Sequence, residues 1–286
     1  MNIDLFADDS TLHESGSNLT SIQLQLQRNL NVVVDWCKIN NMSLHPTKSK
    51  CMVIGTQHKT KKADSLRLTI NGIALENVTV QKLLGIYIDN NLKWNTQIDF
   101  VCKRLNCKIS LLKNVMFYLT DEMKRMFYNA YILPILDYCC HIWGKDNNCY
   151  INKVYTLQKR VAKIILKKPK RSPSDGLLRE LQWLTFTDRC KYHCASLVYK
   201  TRNCMVPCYI TELLIFANNE HYSLRSASKH DLCLTKVPRT NYFKESFSYY
   251  SMKKVWNDIP DDIRNANKLI TFKHKYKRHL LKNLSR

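Results

Sequence analysis

An α+β fold, mostly helical, is what this sequence predicts, and three observations carry that expectation. Residues 1–92 hold short apolar runs separated by turn signals, the pattern of antiparallel hairpins. One series of apolar residues at three- and four-residue steps, Leu19, Ile22, Leu26, Leu30, Val33 and Cys37, interrupts them as an amphipathic helix over residues 18–40. From Lys93 onward that helical spacing dominates.

Taken in order, residues 1–14 read as a strand, a tight turn at Asp8-Asp9 and a second short strand. "SGSN" then supplies turn residues and a helix N-cap. "NNMSLHPTKSK" breaks the long helix, and "CMVIG" at 51–55 reads as a strand. "LRLTINGIAL" alternates around Asn71-Gly72, a strong short hairpin signal. "VQKLLGIYID", 80–89, reads as a further strand with Gly85 inside it. Ile98, Val101, Leu105, Ile109, Leu112 and Met116 mark the next helix. Thr120 caps another, with Asp121 and Glu122 complementing its dipole, and that helix is expected to kink at Pro134. A third runs from Tyr150 to Lys168, and 93–168 therefore reads as one helical unit. "KKPKRSPSDG" is a proline-punctuated basic linker into a basic C-terminal region, 169–286.

With 45 basic and 23 acidic residues the chain carries a net charge of +22. An excess of that size exceeds what solubility needs and points to a polyanion, most simply nucleic acid. The bias is concentrated in "INKVYTLQKRVAKIILKKPKR", residues 151–171, which holds eight basic residues and no acidic one. On a helical wheel Lys153, Lys159, Arg160, Lys163 and Lys167 share one arc, and Ile151, Val154, Leu157, Val161, Ile164 and Ile165 the other. The first arc suits either a solvated surface or contact with phosphates; the lack of any acid favours phosphates. The segment from Lys268 onward repeats the bias.

Adjacent carboxylates at a strand end repel each other unless water or a cation separates them. Asp8 and Asp9 in "IDLFADDSTL" are therefore a solvated turn or a divalent-cation pair. The order of motifs along the chain decides between these. "FADDSTL", "WCKINNMSLHPTKSKCMVIG", "LLGIYIDNNLKW" and "AYILPILDYCCHIWG", in that order, resemble the reverse transcriptases of non-LTR (LINE-type) retrotransposons. Phe6 stands as the aromatic of the hairpin motif; Trp36, Asn41, Met42, Leu44, Lys48 and Lys50 match the second motif, where His45 and Ser49 replace the usual Asn and Thr. Leu84, Gly85, Asp89 and Trp94 match the third. "YSLRSASKHDL", "VPRTNYFKESF" and "KVWNDIPDDIR" resemble the tail of many such reading frames.

The resemblance implies a partial polymerase palm over 1–92, a thumb-like unit over 93–168 and a basic tail over 169–286. It implies RNA-directed DNA synthesis with Mg2+, with Asp8 as metal ligand and Asp9 beside it. Phe6 and Lys48 would contact the incoming dNTP, Leu84, Gly85, Ile86 and Tyr87 the primer backbone, and the basic helix an RNA–DNA duplex. The family's fingers and first palm half precede the hairpin, so the chain is expected to be a fragment that does not polymerise alone. The alternatives are a non-catalytic basic nucleic-acid-binding module and a retroelement relic without function.

Twelve cysteines without a signal peptide suggest reduced, mostly buried thiols, an intracellular protein of nucleus or cytoplasm and no membrane partner. Cys190, Cys194, Cys204 and Cys208, with His193 between, invite a zinc reading, but they lack the short Cys-x2-Cys knuckle and read better as core residues.

Overall fold

The computed structural model describes residues 2–60, 66–145, 150–169, 171–173, 176–216, 232, 233, 244 and 246–283. It is mostly helical with small sheets, as an α+β sequence should be. The chain divides into two compact units, residues 1–97 and 98–286.

In the first unit, β1 (Asn2–Phe6) pairs antiparallel with β2 (Asp9–His13), and α1 (Leu19–Ile39) follows. Asn18 caps α1 by accepting the Thr20 N–H at 2.9 Å. Then come β3 (Lys50–Cys51), a helical turn α2 (Gln57–Thr60), β4 (Thr69–Ile70) and β5 (Ile73–Ala74). Asn71 and Gly72 turn β4 into β5 with φ of 52° and 81°, the left-handed pair that the Asn-Gly signal foretold.

Two expectations fail here. "CMVIG" contributes only Cys51 to a ladder, and its partner is β6 (Glu76–Asn77) in parallel, a pairing between segments that no local pattern announces. Residues 80–89 are not one strand but a hairpin, β7 (Val80–Leu83) and β8 (Ile86–Asp89). Leu84 and Gly85 turn it with φ of 46° and 84°; the glycine read as a strand interior is half of the turn. Among the described residues each sheet of the unit is two-stranded. A small core of Leu30, Val34, Cys51, Leu66, Leu68 and Ile70 holds α1 against β4.

The described residues of the second unit are almost wholly helical. α3 (Asn95–Val115) begins at the boundary and carries the expected buried stripe of Ile98, Val101, Leu105, Ile109 and Leu112. Thr120 caps α4 (Asp121–Phe127) by accepting the Met123 N–H at 3.2 Å. The expected disturbance at Pro134 is a π-helical turn over Tyr128–Ile132, which leads into α5 (Leu133–Asp137). α6 (Cys140–Trp143), α7 (Ile151–Ile165), α8 (Leu177–Glu180), α9 (Phe186–Arg202), α10 (Cys208–Thr211), the β9 (Ile215–Phe216)–β10 (Leu232–Cys233) ladder, α11 (Phe247–Ser251), α12 (Asp261–Arg264) and α13 (Leu269–Asn283) complete it.

Fifteen buried residues, among them Val198, Tyr199, Trp256, Ile259, Phe272 and Tyr276, form one core around α9 and α13. "WNDIP" thereby gains a structural meaning. Trp256 is fully buried, and Asn257 clamps Leu232 by accepting its N–H at 2.9 Å and donating to its carbonyl at 3.2 Å. Residues 217–231 and 234–243, which carry most of the other tail motif matches, lie outside the described residues. No helix among the described residues is long and apolar enough to cross a membrane.

Candidate functional site

The β1–β2 register pairs Phe6 with Asp9, so the two turn residues are Ala7 and Asp8, one position earlier than the sequence suggested. Ala7 takes φ of 53° at the first turn position, a conformation usually left to glycine, and Asp9 stays in the ladder. Cross-strand partners share a face, so Phe6 and Asp9 stand side by side while Asp8 projects from the tip. All three are exposed, Phe6 at 64%. Asp4 and His13 lie on that same face and pair at 3.4 Å, close enough for an ion pair once the imidazole is protonated.

Lys48 lies in the turn after α1, its N–H bonded to the His45 carbonyl at 3.1 Å, and its side chain is exposed. Among the described residues nothing bonds it to Asp8 or Asp9. Leu84 and Gly85 sit at the β7–β8 tip, Ile86 is buried at 7% exposure, and the Tyr87 N–H donates to Gln97 Oε1 at 3.0 Å. Lys82 lies over the Tyr87 ring at 5.8 Å. Asp89 explains the "IDNNLKW" spacing. Its carboxylate accepts the N–H groups of Asn91 at 3.1 Å, Lys93 at 2.9 Å and Trp94 at 2.7 Å, which fixes the lead into α3.

α7 presents its two arcs much as the sequence drew them, but it ends at Ile165 rather than Lys168, so Lys167, with φ of 54°, lies past the helix end. Ile151, Val154, Val161 and Ile165 are buried, and Leu157 and Ile164 half-buried. Gln158 joins the packed face, donating to the Leu184 carbonyl at 2.9 Å and to the Tyr128 hydroxyl at 3.2 Å. That hydroxyl's pKa is pushed up to about 12 by burial. Arg160 and Lys167 are exposed and Lys153, Lys159 and Lys163 reach the surface in part or whole. Lys153 bonds Asp99 at 2.9 Å, Lys159 lies over the Tyr155 ring at 4.1 Å, Lys163 bonds the Ser172 carbonyl at 2.6 Å, and Lys167 stands 3.6 Å from Asp121. A shallow groove between α3 and α7 is lined by Cys102, Asn106, Asn152, Lys153, Thr156 and Leu157.

The four cysteines considered for zinc do not gather among the described residues. Cys190 and Cys194 are buried on α9, with Cys194 Sγ 3.2 Å from Ser251 Oγ, whereas Cys204 and Cys208 are exposed rather than in the core. The ten cysteines whose side chains are described are free thiols, and five of them are buried, fewer than expected.

A different cluster escaped the sequence reading. Asp137, Cys140 and His193 place one donor atom each within 4.8 Å of one another. Separation alone would suit a cation, but Arg189 bonds both carboxylate oxygens of Asp137, and His193 Nε2 lies 3.2 Å from one of them. Burial by itself would raise the Asp137 pKa; the His193 and Arg189 bonds outweigh it and hold the carboxyl below its usual value. The arrangement is a half-buried ion network. One signal was present: an aspartate inside the apolar run "AYILPILDYCCHIWG" requires a buried partner. The partner lies 52 residues away, where spacing gives no hint.

Comparison with known proteins adds an independent line. The chain is 25% identical over 193 residues to the "Probable RNA-directed DNA polymerase from transposon BS" of Drosophila melanogaster, covering 66% of this chain and 21% of that protein. It is 22% identical over 162 residues to the "Probable RNA-directed DNA polymerase from transposon X-element" of the same organism, covering 56% of this chain and 17% of that protein. The chain thus spans about a fifth of the length of the curated relatives it matches. No family model matches. No solved structure matches. Motifs in order along the sequence and similarity to two transposon polymerases converge: the chain is related to the RNA-directed DNA polymerases of non-LTR retrotransposons.

Proposed function

We infer that this chain supplies part of an RNA-directed DNA polymerase: a palm portion over 1–92, a thumb-like unit over 93–168 and a basic region over 169–286. The observation that carries the reading is the tip of the β1–β2 hairpin, where Phe6, Asp8 and Asp9 stand exposed together on a fixed register. The hard oxygen donors of Asp8 and Asp9 fit Mg2+, which would supply charge neutralisation for phosphoryl transfer. Asp8 at the tip is the ligand, and Asp9, held in the ladder, supports it. Phe6 and Lys48 face the nucleotide, and Leu84, Gly85, Ile86 and Tyr87 the primer backbone.

Among the described residues no third carboxylate gathers with that pair, and a two-metal site needs one. The chain alone is therefore expected to give no product with template RNA, primer, dNTPs and magnesium. Synthesis that Asp8→Ala abolishes would show a complete site and sink this expectation.

A second reading, a nucleic-acid-binding module without catalysis, is favoured by the basic outer face of α7, which carries no acid of its own and meets Asp99 and Asp121 of neighbouring elements near its two ends. It predicts salt-sensitive, sequence-indifferent binding to an RNA–DNA duplex. Asp8→Ala should leave this binding intact, and charge reversal at Arg160, Lys163 and Lys167 should weaken it. Unchanged affinity in the reversed variant would reject α7 as the contact.

A further inference from the structure

The α3–α4 corner carries two aromatic rings that nothing in the fold requires. Phe117 is 84% and Tyr118 87% exposed, and neither helps to pack the unit. Their loop is not loose: the Tyr118 N–H bonds the Val115 carbonyl at 3.0 Å, and Thr120 two residues on caps α4. Two exposed rings on a short, hydrogen-bonded corner are held ready for a flat partner at little ordering cost.

Their surroundings say which partner. Asp121 lies 3.6 Å from Lys167 and 2.9 Å from Lys124, so the corner adjoins the C-terminal end of α7. Tyr118 is three residues from Asp121, and the chain between them spans at most about 11 Å. Lys124 is buried on Asp121, but the exposed Lys113, Arg125, Lys167 and Lys168 flank the corner or adjoin it through the Lys167–Asp121 pair, against Asp121 and Glu122, a local excess of positive charge. Lys167 itself takes φ of 54°, where glycine would be less strained, so the helix end presents a cation at the position most helices give to glycine. Aromatic faces interleaved with cations are the chemistry that holds unpaired nucleotides, because every base has a face to stack and every link a phosphate. Met123 and Met126 extend the apolar area, but the basic surround favours a polyanion over a protein.

We propose that Phe117 and Tyr118 are a stacking platform for unpaired bases at the point where a strand leaves a duplex held along α7. The proposal rests on the reading of α7 as a duplex contact. The test compares the full chain's affinity, by fluorescence anisotropy, for a blunt RNA–DNA duplex and for the same duplex with a single-stranded thymidine tail. The tailed duplex should bind roughly tenfold more tightly, the effect of about one stacked base. Phe117→Ala with Tyr118→Ala should erase that preference and leave blunt-duplex affinity unchanged, whereas Phe117→Trp with Tyr118→Trp should keep it. A preference that survives the double alanine variant, or its absence in a chain that binds the blunt duplex, overturns the platform. Failure to bind either duplex rejects the α7 contact and the platform with it.

Discussion

The two units solve the same problem, holding backbone in place, with different means. Residues 98–286 bury a fifteen-residue core around Trp256 and Phe272 and, besides it, the apolar faces of α3 and α7, and the helices satisfy their own amides. Residues 1–97 bury only a small cluster, and their ladders run from two to five residues. Side-chain amides and one carboxylate make up the difference. Gln27, Gln23, Asn77 and Asp89 all bond backbone groups that no neighbouring strand reaches. The residues proposed for metal and primer sit in the second kind of structure, at the tips of short hairpins. Regions with little apolar burial open at low free energy, so the motif-bearing tips belong to the less protected unit.

The comparison meets its strongest test where the helical unit departs from apolar packing at an ion pair between α5 and α9. Asp137 and Arg189 are 23% and 13% exposed in their side chains, and each is the other's main partner. Removing the guanidinium leaves a carboxylate in a poorly hydrated site. Because the site is half-buried and His193 still faces Asp137, Arg189→Ala should destabilise the unit by about 3 kcal/mol in chemical denaturation, the low end for a broken buried pair. A loss below about 1 kcal/mol would mean that the network is hydrated, and that the apolar core alone holds this unit.

Acid should strike the same region. Burial pushes the His141 pKa down to about 4 from 6.5, aided by the charges of His193 and Lys145, and its Nδ1 is buried with no hydrogen bond. The unfolded chain then binds more protons than the folded one between these values, so stability is complete above about pH 6.5 and is lost as pH falls toward 4. Asp137, whose pKa is lowered overall, loses stability in the same direction at still lower pH. The His141 contribution is on the order of 2–3 kcal/mol, and thermal unfolding of His141→Asn should be correspondingly flatter across that window. An equally steep profile in the variant would move the acid sensitivity to the carboxylates.

Legibility followed the range of the interactions. The helix over Leu19–Ile39, the Asn71-Gly72 hairpin and the Thr120 cap are written in residues a few positions apart, and all three were readable. The β3–β6 pairing joins Lys50 to Glu76 and leaves no local trace; the Asp137–Arg189 contact joins α5 to α9, and the apolar run around Asp137 announces a partner without saying which. At the candidate site the hairpin was readable but its turn was not, because Ala7 gives no sign of a positive φ. Gly85 misled for the complementary reason: a glycine in an apolar run can be a strand interior or half of a turn, and Leu84 as the other half is an uncommon choice.

The smallest predicted effect is the sharpest test of how the first unit is held. Gln27 on α1 donates to the Thr69 carbonyl at 2.9 Å and accepts the Thr69 N–H at 2.9 Å, so its amide imitates an extra strand beside β4. Gln23, one turn earlier, accepts the Arg67 N–H at 3.3 Å. Gln27→Leu keeps the helix and adds apolar area next to Leu30 and Ile70, so a unit held by its core would tolerate or welcome it. A unit held by side-chain-to-backbone bonds would lose about 1–2 kcal/mol, because two half-buried groups of Thr69 become unpaired. The loss should appear as faster hydrogen exchange at residues 67–74, with little change in α1. Unchanged exchange there would show that the core of Leu30, Val34 and Ile70 suffices, and the contrast between the two units would reduce to one of size.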